Sequence, residues 1–297
     1  MVAIRKARRS ATKLRLLLAG PSGSGKTWGA LSIAKGMSGR TVVIDTEEGS
    51  SDLYDHLHEF DVIDLRPPFS PEAYIEAIQL AESKGYEVII VDSVTHCWSG
   101  PGGCLEILED VAKAQFRGNT WSAWSVVTPR WRAFVDKILR SPAHVICCGR
   151  SKTESAQVDD HGRKKVTKLG MKLEARDGLE FEFTCCLDII HDGHYATVSK
   201  DRTGLFTGDP KPITPDTGRR LAEWLAGGKP TESETLLKGR QFIAVASTED
   251  DLKRATRNID SKLSKGEITS DEWSTLTDAI VARSAEIAAA GEPVAAE

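Results

Sequence analysis

The chain has no apolar stretch close to the roughly 20 residues that a membrane-spanning helix needs, and the apolar run at residues 14–19 is too short for the core of a secretory leader. A protein of the cytoplasm, with no membrane partner, is expected. The six cysteines show no CxxC spacing of the kind that marks zinc. Two adjacent pairs, Cys147-Cys148 and Cys185-Cys186, sit in strand-like apolar runs, so buried, reduced thiols are expected instead. An excess of positive charge is also missing: the formal net charge is −4, and any nucleic-acid site must come from local clustering. With 40% apolar and 28% charged residues, a disordered chain is excluded.

What is present is local and specific. Gly20-Pro21-Ser22-Gly23-Ser24-Gly25-Lys26-Thr27 follows an apolar run and precedes a segment, from Trp28 onward, that reads as a helix. This is the pattern of a phosphate-binding loop. Its glycines let backbone N–H groups turn inward around a polyphosphate, Lys26 can reach the β- and γ-phosphates, and Thr27 can offer its hydroxyl to Mg²⁺. Residues 20–28 are therefore the candidate nucleotide contacts.

From residue 14 to about 227, short β-rich runs alternate with helical segments. That is the signature of an α/β fold with a mainly parallel sheet covered by helices on both faces. Strands are expected at 14–19, 41–45, 62–65, 88–92 and 144–148. A hairpin should join 185–191 to 194–199 through a two-residue Asp192-Gly193 turn, with His191 and His194 as flanking cross-strand neighbours. Helices are expected at 71–83, 105–114, 129–139 and 215–225, with Pro71, Pro129 and Pro215 in first turns. Residues 1–13 form a basic arm, 14–227 the core, 228–236 a linker and 237–297 a small all-helical appendage. In the appendage, Thr269 to Glu272 suggests a capping box, and the stripes Leu252, Ala255, Ile259, Leu263 and Trp273, Leu276, Ile280, Ile287 suggest a mutual core.

A phosphate loop needs an acid at the end of a neighbouring buried strand to hold the metal. Asp92 ends such a run at 88–92, at the edge where ligands bind in open α/β sheets. Hydrolysis also needs a carboxylate to orient water; Glu47, just after the strand at 41–45, is the candidate base, with Asp45 as the alternative. Residues 161–176 carry Arg163, Lys164, Lys165, Lys168, Lys172 and Arg176 against the single acid Glu174, so a mobile basic loop could lie along a phosphate backbone. That stretch has no aromatic residue for base stacking; Trp121, Trp124 and Trp131 lie earlier. Lys200 and Arg202, two residues apart after the hairpin, suit reaching outward to the phosphates held by a neighbouring subunit.

In this order, the phosphate loop, Asp45-Thr46-Glu47, residues 88–94, the basic segment and Lys200-Asp201-Arg202 resemble the core of RecA-like ATPases. They resemble in particular a bacteriophage and prophage group of AAA-type, RecA-fold ATPases, in which segments like 67–71, 150–154 and 198–206 recur together. The likeness covers roughly residues 8–227. It implies ATP with Mg²⁺, Glu47 as the water-activating residue, Asp92 as the metal-associated acid, and Lys200 and Arg202 as cations serving an adjacent protomer of a ring or filament. It also implies that 151–176, with Lys152, is the DNA-binding segment, and that Arg150 lies near a polar sensor position. The implied function is a DNA-stimulated ATPase of phage recombination or replication, bound to single-stranded DNA in the bacterial host cytoplasm. Two alternatives remain open: a nucleotide-gated adaptor or loader, with the C-terminal helices docking a phage annealing or single-strand-binding protein, and a P-loop small-molecule kinase.

Overall fold

The computed structural model describes residues 12–160, 163–206, 208–227, 234–265, 267–268 and 270–290. Residues 1–11 of the expected basic arm, 228–233 of the expected linker and Thr269 of the expected capping box lie outside the described residues. The chain divides into two compact units, residues 1–228 and 229–297.

The first unit is built on the strands β1 (Arg15–Gly20), β2 (Thr41–Asp45), β3 (Asp61–Asp64), β4 (Val88–Asp92), β5 (His144–Asp160), β6 (Arg163–Leu173), β7 (Cys185–Ile189), β8 (Tyr195–Asp201) and β9 (Lys211–Pro212). They form one sheet in the order β3-β2-β4-β5-β1-β7-β8-β9, with β6 attached to β5 alone. β1 through β5 and β7 run parallel, and β8 and β9 add an antiparallel margin. Every residue of β1, β2 and β4 is buried, because helices cover both faces of the sheet. Strand alternation divides these residues between the faces. Leu17, Val42, Ile44, Ile89 and Val91 pack on one side. Leu16, Leu18, Val43, Val88 and Ile90 pack on the other.

The helices of this unit are α1 (Lys26–Met37), α2 (Pro71–Ser83), α3 (Val94–Ser99), α4 (Cys104–Gln115), α5 (Thr120–Arg140) and α6 (Pro215–Leu225). α1 lies so close to α6 that a Cβ on Gly218 would meet the Ile33 carbonyl oxygen at 2.0 Å; only glycine permits this crossing. All six cysteines are buried and free.

Four expectations need correction. The basic segment is no mobile loop: β5 continues to Asp160 and pairs antiparallel with β6. Such a two-stranded ribbon satisfies its backbone polar groups by pairing, and the charged sequence of residues 151–173 carries no apolar period to detect. Pro129 sits inside α5, not in a first turn. The helix starts nine residues earlier, where the Asn119 side chain accepts from Ser122 N–H; Ala123, Val127, Trp131, Phe134 and Ile138 bury a continuous stripe that outweighs the roughly 3 kcal/mol cost of an internal proline. The chain between β7 and β8 spans residues 190–194, with a single 3₁₀ turn at Asp192–His194, so His191 and His194 do not face each other across strands. Finally, α3 and β9 were not expected at all.

The second unit consists of α7 (Glu234–Val245), α8 (Glu249–Ser264) and α9 (Ser270–Ala290); α7 begins inside the segment expected as linker. Thr248 and Asp251 cap α8 reciprocally. Leu252, Ala255 and Ile259 share one core with Leu236, Ile243 and Leu276, against which Leu263, Trp273, Ile280 and Ile287 pack. Among the described residues, no helix is long and apolar enough to cross a membrane.

Candidate active site

The parallel strands β1, β2, β4 and β5 deliver their C-terminal ends to one edge of the sheet, and there the polar residues collect. After β1 the chain turns through the glycine-rich loop into α1, with Gly25 at the helix N-cap in the left-handed region, φ 91°. Lys26 is buried, and its Nζ donates to the carbonyl oxygens of Gly20 and Pro21 at 3.1 and 2.8 Å. These partners belong to the loop itself. The Thr27 hydroxyl donates to Asp92 Oδ2 at 2.6 Å. Burial pushes the Asp92 carboxyl up to about 6; the Thr27 hydrogen bond opposes the shift and the Glu47 charge adds to it.

β2 ends in three residues with separate duties. Asp45 turns back into its own chain and accepts from Glu47 N–H at 2.6 Å and from Ser51 N–H at 3.1 Å, which commits it to shaping the turn. Thr46 Oγ1 donates to the Asp92 carbonyl at 3.1 Å, accepts from Ser93 N–H at 2.9 Å and contacts His96 Nδ1 at 2.8 Å, tying β2 to β4 and α3. Burial, then the nearby Arg150 charge, hold the His96 imidazole below its ordinary pKa. That leaves Glu47 to face the cleft. Arg150, on β5, grips it: Nη2 and Nε donate to Glu47 Oε1 at 2.7 and 3.2 Å.

These groups line a cleft of about 520 Å³, within the range of small-molecule sites. The phosphate loop, Glu47, Asp92 and Arg150 form its polar end; Trp28, Leu53, Tyr54, Ile189, Pro212 and Ile213 supply apolar wall. Trp28 meets Tyr54 edge-on at 6.2 Å, a surface suited to a nucleoside. The Thr27 hydroxyl and Asp92 carboxylate are adjacent oxygens at the head of a helix, the all-oxygen donor set that Mg²⁺ takes. Thr27 and Asp92 would hold the metal, whose positive charge would offset that of the phosphates.

Lys26, Thr27, Glu47 and Asp92 are thus brought together, with Trp28 at the rim. Lys200 and Arg202 are not. Lys200 pairs with Cys186 and Asp201 with Cys185, while Cys185 lies beside Leu16, at the end of β1 remote from Gly20. Four residues of strand amount to roughly 13 Å. Lys200 Nζ donates to the carbonyls of Glu180 and Phe181. Of the basic set, Lys152 pairs with Glu174 at 3.6 Å and Lys172 with Asp177 at 2.9 Å. Arg163, Lys164, Lys165 and Lys168 all lie on β6, and in register Arg163 and Lys164 stand opposite Asp160 and Asp159.

Two participants were missed as such. Arg150 as the clamp on Glu47 follows only once β5 is known to enter between β4 and β1. His194, whose Nδ1 lies 2.9 Å from the Ser24 carbonyl oxygen, covers the phosphate loop because β7 runs parallel beside β1 and ends at the same edge.

Residues 12–223 match the model of the AAA domain family. The chain belongs to that family. No curated protein matches it closely enough to count as a relative. AAA domains are nucleotide-binding ATPase modules, usually dependent on Mg²⁺, and the chain is accordingly an α/β P-loop nucleotide-binding ATPase. Within this AAA domain, Lys26, Thr27, Glu47 and Asp92 line one cleft.

Proposed function

We propose that the chain is a Mg²⁺-dependent, RecA-like ATPase that hydrolyses ATP while bound to single-stranded DNA, as a ring or filament whose nucleotide sites are shared between protomers. Its setting is phage DNA recombination or replication in the bacterial host cytoplasm. The observation that carries the ATPase chemistry is the convergence of Lys26, Asp92 and the Arg150-held Glu47 on one cleft. Lys26 stabilises charge on the transferred phosphoryl group, and Glu47 orients the attacking water. Arg150 is a positioning residue for Glu47.

DNA binding is supported by the basic ribbon β5–β6, whose pairing starts at Ser151, next to Arg150, and whose β6 carries Lys164, Lys165 and Lys168. Sharing between protomers is supported by the location of Lys200 and Arg202, remote from their own phosphate loop; to serve another's, Lys200 would exchange the Glu180 and Phe181 carbonyls for phosphate.

Phosphate release with and without oligothymidylate tests this. Turnover should rise with DNA, and Glu47→Gln should lose about 10²- to 10⁴-fold in kcat while retaining ATP binding. Arg202→Ala should lose turnover with ATP binding intact, and regain it when mixed with a Lys26→Ala partner. Equal loss of binding and turnover would remove the role in trans. No affinity of the wild type for single-stranded DNA at low salt would sink the DNA part.

A second reading, a nucleotide-gated adaptor or loader, is favoured by one observation: Phe242 and Val245, one turn apart on α7, are 47% and 77% exposed on the separate helical unit. A phage annealing or single-strand-binding protein is the partner that reading requires. Slow DNA-independent hydrolysis, with loss of the partner on deleting residues 231–297, would support it.

A further inference from the structure

The root of the β5–β6 ribbon forms a second cleft, of about 770 Å³, separate from the one that holds the phosphate loop. Three indoles and three cations meet there: Trp98 of α3, Trp121 and Trp124 of α5, Lys152 of β5, Lys172 of β6, and Arg176 just beyond. We infer that this cleft is where bases of a single-stranded nucleic acid stack, with Trp121 as the platform and the Lys152 and Lys172 ammonium groups taking the adjoining phosphates. The inference rests on the nucleic-acid part of the function proposed above and gives it a site.

Exposure of one aromatic side chain means little by itself. Here Trp121 is 86% exposed, at the rim of a cleft whose other indoles are already arranged face to face. Trp98 and Trp124 stack at 5.8 Å and 16°, and the Arg176 guanidinium lies 5.1 Å from the Trp124 ring centre. Trp121 is thus the ring left for an incoming π-face. The cations supply an independent argument. Lys152 and Lys172 are direct cross-strand partners, and like charges so placed repel. Each leans on a carboxylate at the cleft, Glu174 or Asp177, through contacts that are mostly exposed and therefore weak. A phosphate set between the two ammonium groups would relieve their repulsion and exchange readily with those carboxylates. Stacking faces beside a paired-cation seat match a strand whose bases are free to leave their own stack. They do not match a duplex, which buries its base faces.

The cleft also adjoins the catalytic groups. Lys152 lies two residues along β5 from Arg150, and Glu174 N–H donates to the Arg150 carbonyl at 2.8 Å. Trp98 shares α3 with His96, the contact of Thr46.

The full chain should be titrated with fluorescently labelled oligothymidylate, oligouridylate and an abasic oligodeoxynucleotide of equal length, at low salt. Trp121→Ala, a change at an exposed site that should leave the melting temperature in place, is expected to weaken binding of at least one base-bearing oligonucleotide tenfold or more. Binding of the abasic strand and of ATP should change less than twofold. Oligothymidylate against oligouridylate shows whether the strand taken is DNA or RNA. If Trp121→Ala binds both base-bearing strands as the wild type does, the bases lie elsewhere, and the proposed ATPase on DNA survives without this site. If it weakens the abasic strand equally, stacking is refuted. If the wild type binds none of the three, this site and the nucleic-acid part of the proposed function fall together.

Discussion

Two buried cations stand at opposite ends of β1, and they are used in different ways. Arg15, at the start, is 6% exposed; its Nη1 donates to the carbonyls of Leu14 and Ala143 at 2.8 Å each, and its Nη2 and Nε reach those of Leu139 and Ser141. It fastens the α5–β5 connection to the sheet, and every acceptor it meets is fixed backbone. Lys26, at the far end, is 8% exposed but holds only two carbonyls of the loop that it closes. Its neighbour Asp92 is buried, with a carboxyl shifted up to about 6. The first cation is saturated and structural. The second is held by two carbonyls of the loop it closes, near a buried carboxyl.

The contrast can be broken by exchanging outcomes. Lys26→Ala should cost about 10³-fold or more in turnover, since charge stabilisation is the main protein contribution to phosphoryl transfer. Its unfolding free energy should change by no more than about 1 kcal/mol, because losing two carbonyl hydrogen bonds is offset by no longer desolvating an ammonium group. A phosphate-release assay beside a thermal melt checks both; a large loss of stability would mean that Lys26 is a staple like Arg15. Arg15→Met should show the reverse. Stranding several buried carbonyls is expected to cost about 3 kcal/mol, which lowers the melting temperature by roughly 6–12 °C in a unit of this size. ATP affinity of the folded protein should hold, and a drop in affinity at unchanged melting temperature would erase the distinction.

The smallest effect sharpens it through pH. His144 lies at the Arg15 end, and its Nδ1 accepts from Leu14 N–H at 3.0 Å, which requires that nitrogen to be unprotonated. Burial, with the Lys13 and Arg15 charges, lowers its pKa to about 4. The unfolded chain takes up this proton near 6.5 and the folded one only near 4. The contribution is therefore complete above about 6.5 and is lost as pH falls through that window, by no more than about 2 kcal/mol after solvent screening. Urea midpoints at pH 7.5 and 4.5 should separate by less in His144→Asn, whose side-chain oxygen can accept the same bond. An unchanged acid slope would show that His144 carries none of it.

Legibility in the sequence followed the range of the interaction. The phosphate loop is a contiguous string whose glycine, lysine and threonine positions each have a local reason. Asp92 announces itself through four apolar residues buried on both faces. Strand order is different in kind. Nothing near residue 150 says that β5 enters between β4 and β1, so the Arg150–Glu47 clamp could not be read from spacing. The β5–β6 ribbon pairs through backbone groups and its sequence is rich in charge, which invited the idea of a loop. Pro129 gave a true local signal that five buried contacts along α5 overruled. The indoles absent from the basic segment arrive from α3 and α5, which meet the ribbon only in the folded chain.

The placement of the cysteines has a practical consequence. Cys97 lies on α3, Cys104 at the start of α4, Cys147 and Cys148 near the start of β5, and Cys185 and Cys186 at the start of β7. All six side chains are at most 1% exposed, and burial pushes Cys185 and Cys186 up to about 12. Native protein thus presents almost no accessible sulfur to an alkylating reagent. Each sulfur becomes a silent clock that starts only when its own strand or helix opens, so the rate of labelling at each position would map how the sheet comes apart. A single cysteine introduced on the surface would be the one bright position on an otherwise unreactive molecule.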